Sequence, residues 1–185
     1  MSIITDRNTD KLSVLLKQDR KLFRINDLAL LWQISNRDTL RQTISRFIKK
    51  GVLIQISRGF YSTIPIKDLD QFELGTSAIH DFCYLSTETV LVLNGIIFQE
   101  IMYDTYCSRK RRRINIHNLP IFSRRLDDKY LYNPLGVIDK GKYKIATTER
   151  AVADIEHFNP NYYFDGHNII NWKLVSEIKK GVYNI

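Results

Sequence analysis

The sequence predicts an α+β chain: an N-terminal winged helix-turn-helix followed by a mixed α+β C-terminal domain. Three observations predict it. Residues 23–63 read strand, helix, turn, helix, hairpin. The positive charge is concentrated on that same stretch. Beyond it, short apolar runs bounded by turn residues mix with helix-period segments, a pattern that packs as α+β.

Charge and composition narrow the class further. Formal net charge is +8 and hydrophobic residues make up 44%, so a packed core is expected and global disorder is not. Residues 1–66 hold 12 Lys/Arg against 5 Asp/Glu, whereas residues 67–185 hold 16 against 15. A clustered positive field is the footprint of a polyanionic partner. Cys83 and Cys107 are too few for a disulfide framework. No apolar run approaches the roughly 18 residues of a membrane span, and the polar stretch 1–11 lacks a signal-peptide core. The expectation is a reduced, cytoplasmic protein with no membrane contact.

Taken in order, residues 10–18 predict an amphipathic helix capped by Asp10, with Leu12, Leu15 and Leu16 buried. A short strand (Phe23, Arg24, Ile25) follows. Asn26 or Asp27 then caps a helix from Leu28 to Trp32, whose inward residues are Leu28, Leu31 and Trp32. After a turn at 33–36, a further helix runs from Arg37 to Lys50. At about 100° per residue, Leu40, Ile44, Phe47 and Ile48 share its inward sector. Gly51 ends it in a left-handed cap. Val52 to Ile56, the turn Ser57-Arg58-Gly59, and Phe60 to Ser62 make the hairpin. Pro65 marks the boundary between residues 1–66 and 67–185.

The second domain opens with a linker or short helix at 66–72 and a helix from Leu74 to Asp81. A strand at Cys83–Leu85 leads to a helix from Thr87 to Leu93 capped by Ser86. Further strands are expected at 101–106, 114–117 and 121–123. Gly136 to Asp139 and Tyr143 to Ile145 flank a turn. Thr147 caps a helix reaching about His157, and a last helix spans Ile169 to Lys180, ending at Gly181.

The outward sector of the Arg37–Lys50 helix carries Asp38, Thr39, Gln42, Ser45, Arg46 and Lys49. Gln pairs with an adenine edge and Arg with a guanine edge in the major groove. A polar outward face suits any surface helix, but the flanking turn and hairpin favour DNA. Candidate DNA-binding residues are therefore Arg37, Thr39, Gln42, Ser45, Arg46, Lys49 and Arg58, the last at the hairpin tip. Arg109, Lys110, Arg111, Arg112, Arg113, Arg124 and Arg125 form a second candidate nucleic-acid or partner patch: seven cations with no acid between 109 and 125.

Enzymatic signals are weak. No nucleotide-binding glycine loop is present, and His80, His117, His157 and His167 are scattered. Asp127, Asp128 and Asp139, near Lys140 and Lys142, are the candidates for nuclease chemistry, which needs convergent carboxylates; solvated turns suit them better. Arg150 and Asp154 stand four apart on one helix face, where they can pair. No catalytic residue, metal or cofactor is expected.

Four segments carry a family resemblance. They are Gly51-Val52-Leu53-Ile54-Gln55-Ile56-Ser57-Arg58-Gly59-Phe60-Tyr61 with the helices before it, Tyr84-Leu85-Ser86-Thr87-Glu88-Thr89-Val90-Leu91, the central strand region, and Ile145-Ala146-Thr147-Thr148-Glu149-Arg150-Ala151-Val152-Ala153-Asp154. In this order the chain resembles the AbiEi-type antitoxins, transcriptional regulators of bacterial abortive-infection and type IV toxin-antitoxin operons. That family commonly has Ser or Thr, then Pro-Glu-Arg-Ala, an apolar pair and Asp; Thr148 stands here in place of the proline. The resemblance implies a repressor that binds inverted repeats in double-stranded DNA of its own promoter. It also implies a C-terminal domain that neutralises a nucleotidyltransferase-type toxin without a stable complex. The alternatives are a stand-alone regulator with a sensing second domain and a DNA-targeted nuclease.

Overall fold

A computed structural model describes residues 7–185 of the chain, with side chains from Asp10 onward. The first six residues of the polar stretch 1–11 lie outside the described residues. The fold is mixed α+β, with two sheets. The chain divides into two compact units, Met1–Leu69 and Asp70–Ile185, with a 3-10 turn at Ile66–Asp68 just before the division.

In the first unit, α1 (Arg7–Leu16), β1 (Leu22–Arg24), α2 (Ile25–Leu31), α3 (Arg37–Lys49), β2 (Ile54–Ser57) and β3 (Phe60–Ser62) follow one another. The strands form an antiparallel sheet in the order β1-β3-β2. Leu15, Phe23, Leu28, Trp32, Leu40, Ile44, Phe47, Leu53 and Tyr61 make one core. Trp32 stacks on Phe47 at 5.0 Å, and its indole N–H donates to the Lys11 carbonyl at 3.1 Å, tying α2 to α3 and α1.

Three expectations here need correction. Asp10 sits within α1 and does not cap it. Leu16 is 63% exposed, because the one-residue step from buried Leu15 rotates it off the inward face. Helix α2 begins at Ile25, not Leu28: the Asp27 carboxylate reaches back to accept the Arg24 backbone N–H at 2.7 Å, so Asn26 and Asp27 lie in its first turn.

The second unit contains α4 (Gln71–Ile79), β4 (Cys83–Leu85), α5 (Glu88–Leu93), β5 (Asp104–Ser108), β6 (Arg112–Ile116), β7 (Leu119–Arg125), α6 (Asp128–Leu131), β8 (Val137–Asp139), β9 (Lys144–Ala146), α7 (Thr148–Phe158) and α8 (Trp172–Ile178). Its six-stranded mixed sheet runs β6-β7-β5-β4-β9-β8. Antiparallel and parallel pairings alternate across it. Strand alternation separates the helices onto two faces. Arg112 and Tyr106 reach carbonyls of α4, whereas Phe122, Thr105 and Arg124 face α5.

Several boundaries differ from expectation, each for a tertiary reason. The strand expected at 101–106 is Asp104–Ser108, because pairing with β4 sets its register through Leu85 and Tyr106. Ser86 does not cap α5: its hydroxyl donates to Asp154 at 2.6 Å. Thr87 takes the cap position with φ 52° and ψ −132°, a strained backbone for a β-branched residue. The last helix starts after the Asn171 cap, not at Ile169, and does not stop at Gly181; it widens into a π turn over Lys179–Tyr183.

Candidate nucleic-acid interface

Helix α3 begins where the Asn36 side chain accepts the backbone N–H groups of Asp38 and Thr39, at 3.0 and 2.9 Å. It ends at Lys50, before Gly51 with φ 70°. Leu40, Ile44 and Phe47 are buried, as is Thr43, which the apolar periodicity missed because its hydroxyl hides in a bond to the Thr39 carbonyl at 2.8 Å. Arg37, Thr39, Gln42, Ser45, Arg46 and Lys49 are all exposed. Among the described residues no acid pairs with Arg46 or Lys49; Asp38 pairs instead with Arg41 at 3.6 Å. Arg41 is a further exposed cation beside this face, and its position between Leu40 and Gln42 in the sequence signalled it.

Arg58 is exposed in the β2–β3 turn, next to Gly59 with φ 74°. The hairpin is anchored from below: the Arg24 guanidinium lies 4.0 Å from the centre of the Phe60 ring. The side chains of α3 and the turn thus stand on a rigid core with few internal partners, an arrangement suited to polyanion contact.

The second basic cluster is divided among several roles. Strands β6 and β7 pair, with Arg113 opposite Phe122 and Arg112 opposite Ser123. Arg112 donates to the Ile79 carbonyl on the α4 face. Arg124 pairs with Glu88, Arg125 with Asp127 at 3.6 Å, and Arg109 with Asp128 at 3.4 Å. Lys110, Arg111 and Arg113 remain exposed, with no acid partner among the described residues. Together with Arg112, whose carbonyl partner is neutral, those three carry the cluster's unneutralised charge.

The carboxylates considered for nuclease chemistry go to separate partners. Asp127 and Asp128 take Arg125 and Arg109; Asp139 accepts from Lys144 and from the Gly141 backbone N–H. The Lys144 hydrogen bond holds the Asp139 carboxyl below its ordinary range. Among the described residues no three His, Cys, Asp or Glu side chains converge as a metal-holding group. His157 stacks on Tyr183 at 4.4 Å and His167 packs against Trp172 at 4.5 Å; burial lowers the pKa of His157. Cys83 and Cys107 are free thiols, both buried.

No family model matches this chain, and no curated protein matches its sequence.

One feature of the second unit exceeds what spacing revealed. Arg150 and Asp154 pair at 2.7 Å with both side chains 0% exposed. Asp154 also accepts from Tyr183 at 2.5 Å, Ser86 at 2.6 Å and Tyr84 at 3.0 Å. Arg150 donates onward to Tyr84 and to the carbonyls of Tyr130, Asn133 and Leu135. Burial opposes the Arg150 charge, but Asp154 and the tyrosine oxygens outweigh it and leave the arginine's pKa raised. Burial, then the Asp154 charge, pushes the Tyr84 and Tyr183 hydroxyls well above their ordinary range. These bonds fasten β4, α7 and the C-terminal turn together. Its sequence signal was the apolar run Ala151-Val152-Ala153: a helix apolar between its charges is buried on that side.

Proposed function

We propose that the chain is a DNA-binding transcriptional repressor, that its first unit is a winged helix-turn-helix, and that it is the antitoxin of a nucleotidyltransferase-type toxin. One observation carries the DNA reading: the outward face of α3 presents Thr39, Gln42, Ser45, Arg46 and Lys49 together, exposed and without acid partners among the described residues. In this reading α2 and α3 form the helix-turn-helix, and α3 enters the major groove. Gln42 and Arg46 read base edges, with Lys49 beside them. Arg37 and Arg58 take phosphates, Arg58 from the tip of the β2–β3 wing.

Autoregulation and the antitoxin role are supported by the resemblance in sequence. The C-terminal unit would counter the toxin without a lasting complex. A mobility shift on the DNA upstream of the chain's own gene, at two salt concentrations, tests repression. We expect a retarded complex that the Gln42, Arg46 and Lys49 triple alanine variant no longer forms, with affinity falling as salt rises. Equal binding to random duplex would remove the operator claim. Co-expression with the product of the neighbouring reading frame tests the antitoxin claim: growth must fail with the toxin alone and recover with this chain.

A further inference from the structure

The α5-side face of the six-stranded sheet is open at its β6–β7 edge. Phe122, half-buried on β7, is ringed there by three guanidinium groups. Arg111 lies 5.5 Å, Arg113 5.6 Å and Arg124 5.4 Å from its ring centre. Arg113 also lies 5.8 Å from the Tyr103 ring. A cleft of about 290 Å³ opens between Glu88, Met102, Tyr103, Arg113, Phe122 and Arg124. Its lip is apolar, with Met102 75% exposed.

Two features point to a ligand. First, Glu88 is the only acid lining the cleft among the described residues, and it is engaged with Arg124, so the charge of Arg111 and Arg113 is left over. Second, the exposed guanidinium groups of Arg111 and Arg113 stand beside the Phe122 and Tyr103 rings, which sets a stacking surface next to unneutralised positive charge. The site is also built in advance: the Ser108 and Ser123 hydroxyls both donate to the Lys110 carbonyl, each at 2.8 Å, fixing the turn that carries Arg111.

We propose that this cleft binds a single nucleotide. The base lies against Phe122 and Tyr103, and the phosphate sits on Arg111 and Arg113. Aromatic faces beside guanidinium groups take unstacked bases, whereas a duplex offers only base edges in its grooves. At about 290 Å³ the cleft lies just below the roughly 300–1,000 Å³ typical of ligand sites, which suits one nucleotide and not a helical segment. The ligand is therefore a free nucleotide or one nucleotide of a single strand. The inference concerns the second unit and does not rest on the reading of α3.

The test uses the full chain carrying the Gln42, Arg46 and Lys49 alanine changes, which removes the α3 face from the measurement. Binding of the four ribonucleoside 5′-monophosphates and of a short unstructured oligoribonucleotide is measured by calorimetry. We expect saturable binding, weakened about tenfold or more by Phe122→Leu and by Arg113→Gln. Binding of the monophosphates identifies a free nucleotide as the source; binding of the oligonucleotide alone identifies a strand. Arg113 is exposed, so its variant keeps the fold if Phe122→Leu does not. Where the oligonucleotide binds, a photoreactive 4-thiouridine within it must cross-link at Tyr103, Arg113 or Phe122. Absence of saturable binding, a cross-link mapped elsewhere, or wild-type affinity in a folded variant of either residue overturns the proposal.

Discussion

The Arg150 guanidinium and the Asp154 carboxylate meet at 2.7 Å, one helical turn apart on α7, with neither side chain reached by solvent. Such a pair fixes geometry more than it adds stability, since desolvation offsets much of the attraction. Its position explains why β4, α7 and the C-terminal turn share one arrangement.

Removing one partner strands a buried charge. Arg150→Met is expected to destabilise the second unit by about 3–5 kcal/mol, and the Arg150→Met/Asp154→Leu double variant to recover part of that loss. Urea unfolding followed by hydrogen exchange in α7 measures both. A single variant as stable as wild type would show that the pair is not a buried ionic link.

Tyr183 donates to Asp154 at 2.5 Å from the π turn at the C-terminus. Tyr183→Phe keeps the ring against His157 and removes only that bond to a charged acceptor. The expected loss is about 1.5–3 kcal/mol, read as a lower denaturation midpoint with an unchanged slope. Faster amide exchange at Lys179–Tyr183 should accompany it.

Asp104 has one buried carboxyl oxygen without a partner, and burial raises its pKa from 3.8 to about 6. The folded state therefore holds the proton more tightly than the unfolded state does. That contribution to stability is fully present below about pH 4 and is lost as pH rises through about 6. Asp104→Asn should melt higher than wild type at pH 7, and the gain should disappear near pH 4. Thermal melts across that range check the sign; a gain largest at low pH would contradict it.

Under the proposed function, the residues of α3 and of the β2–β3 turn separate by role on DNA. Arg46→Ala should cost about 1–3 kcal/mol of discrimination between operator and random duplex. Arg58→Ala should weaken both alike and lower the salt slope by about one. Titrations on the two duplexes at several salt concentrations distinguish these outcomes. Identical losses in both variants would contradict the assignment of edge and phosphate contacts.

The sequence by itself determined whatever is set locally. The period of Leu40, Ile44 and Phe47 sets the inward face of α3; Gly51 sets where it stops; the Arg58-Gly59 turn, one residue shorter than expected because Ser57 pairs with Phe60 in β2, sets where the chain doubles back; Thr147 sets the start of α7 by accepting the Arg150 backbone N–H. These follow from residue propensities and spacings within a few positions, so they can be read along the chain. Tertiary structure alone decided the features that depend on partners far away in sequence. Asp154 and Ser86, 68 positions apart, meet only because β4 lies beside α7, and that contact withdraws Ser86 from its expected cap. Likewise, seven basic residues that looked like one patch are divided by strand alternation and by Ile79, Glu88 and Asp127, leaving Arg111 and Arg113 beside Phe122. The physical reason is the same in both cases: a side chain's charge and hydrogen bonds are settled by its neighbours in space, and spacing along the chain fixes those neighbours only within one helix or hairpin.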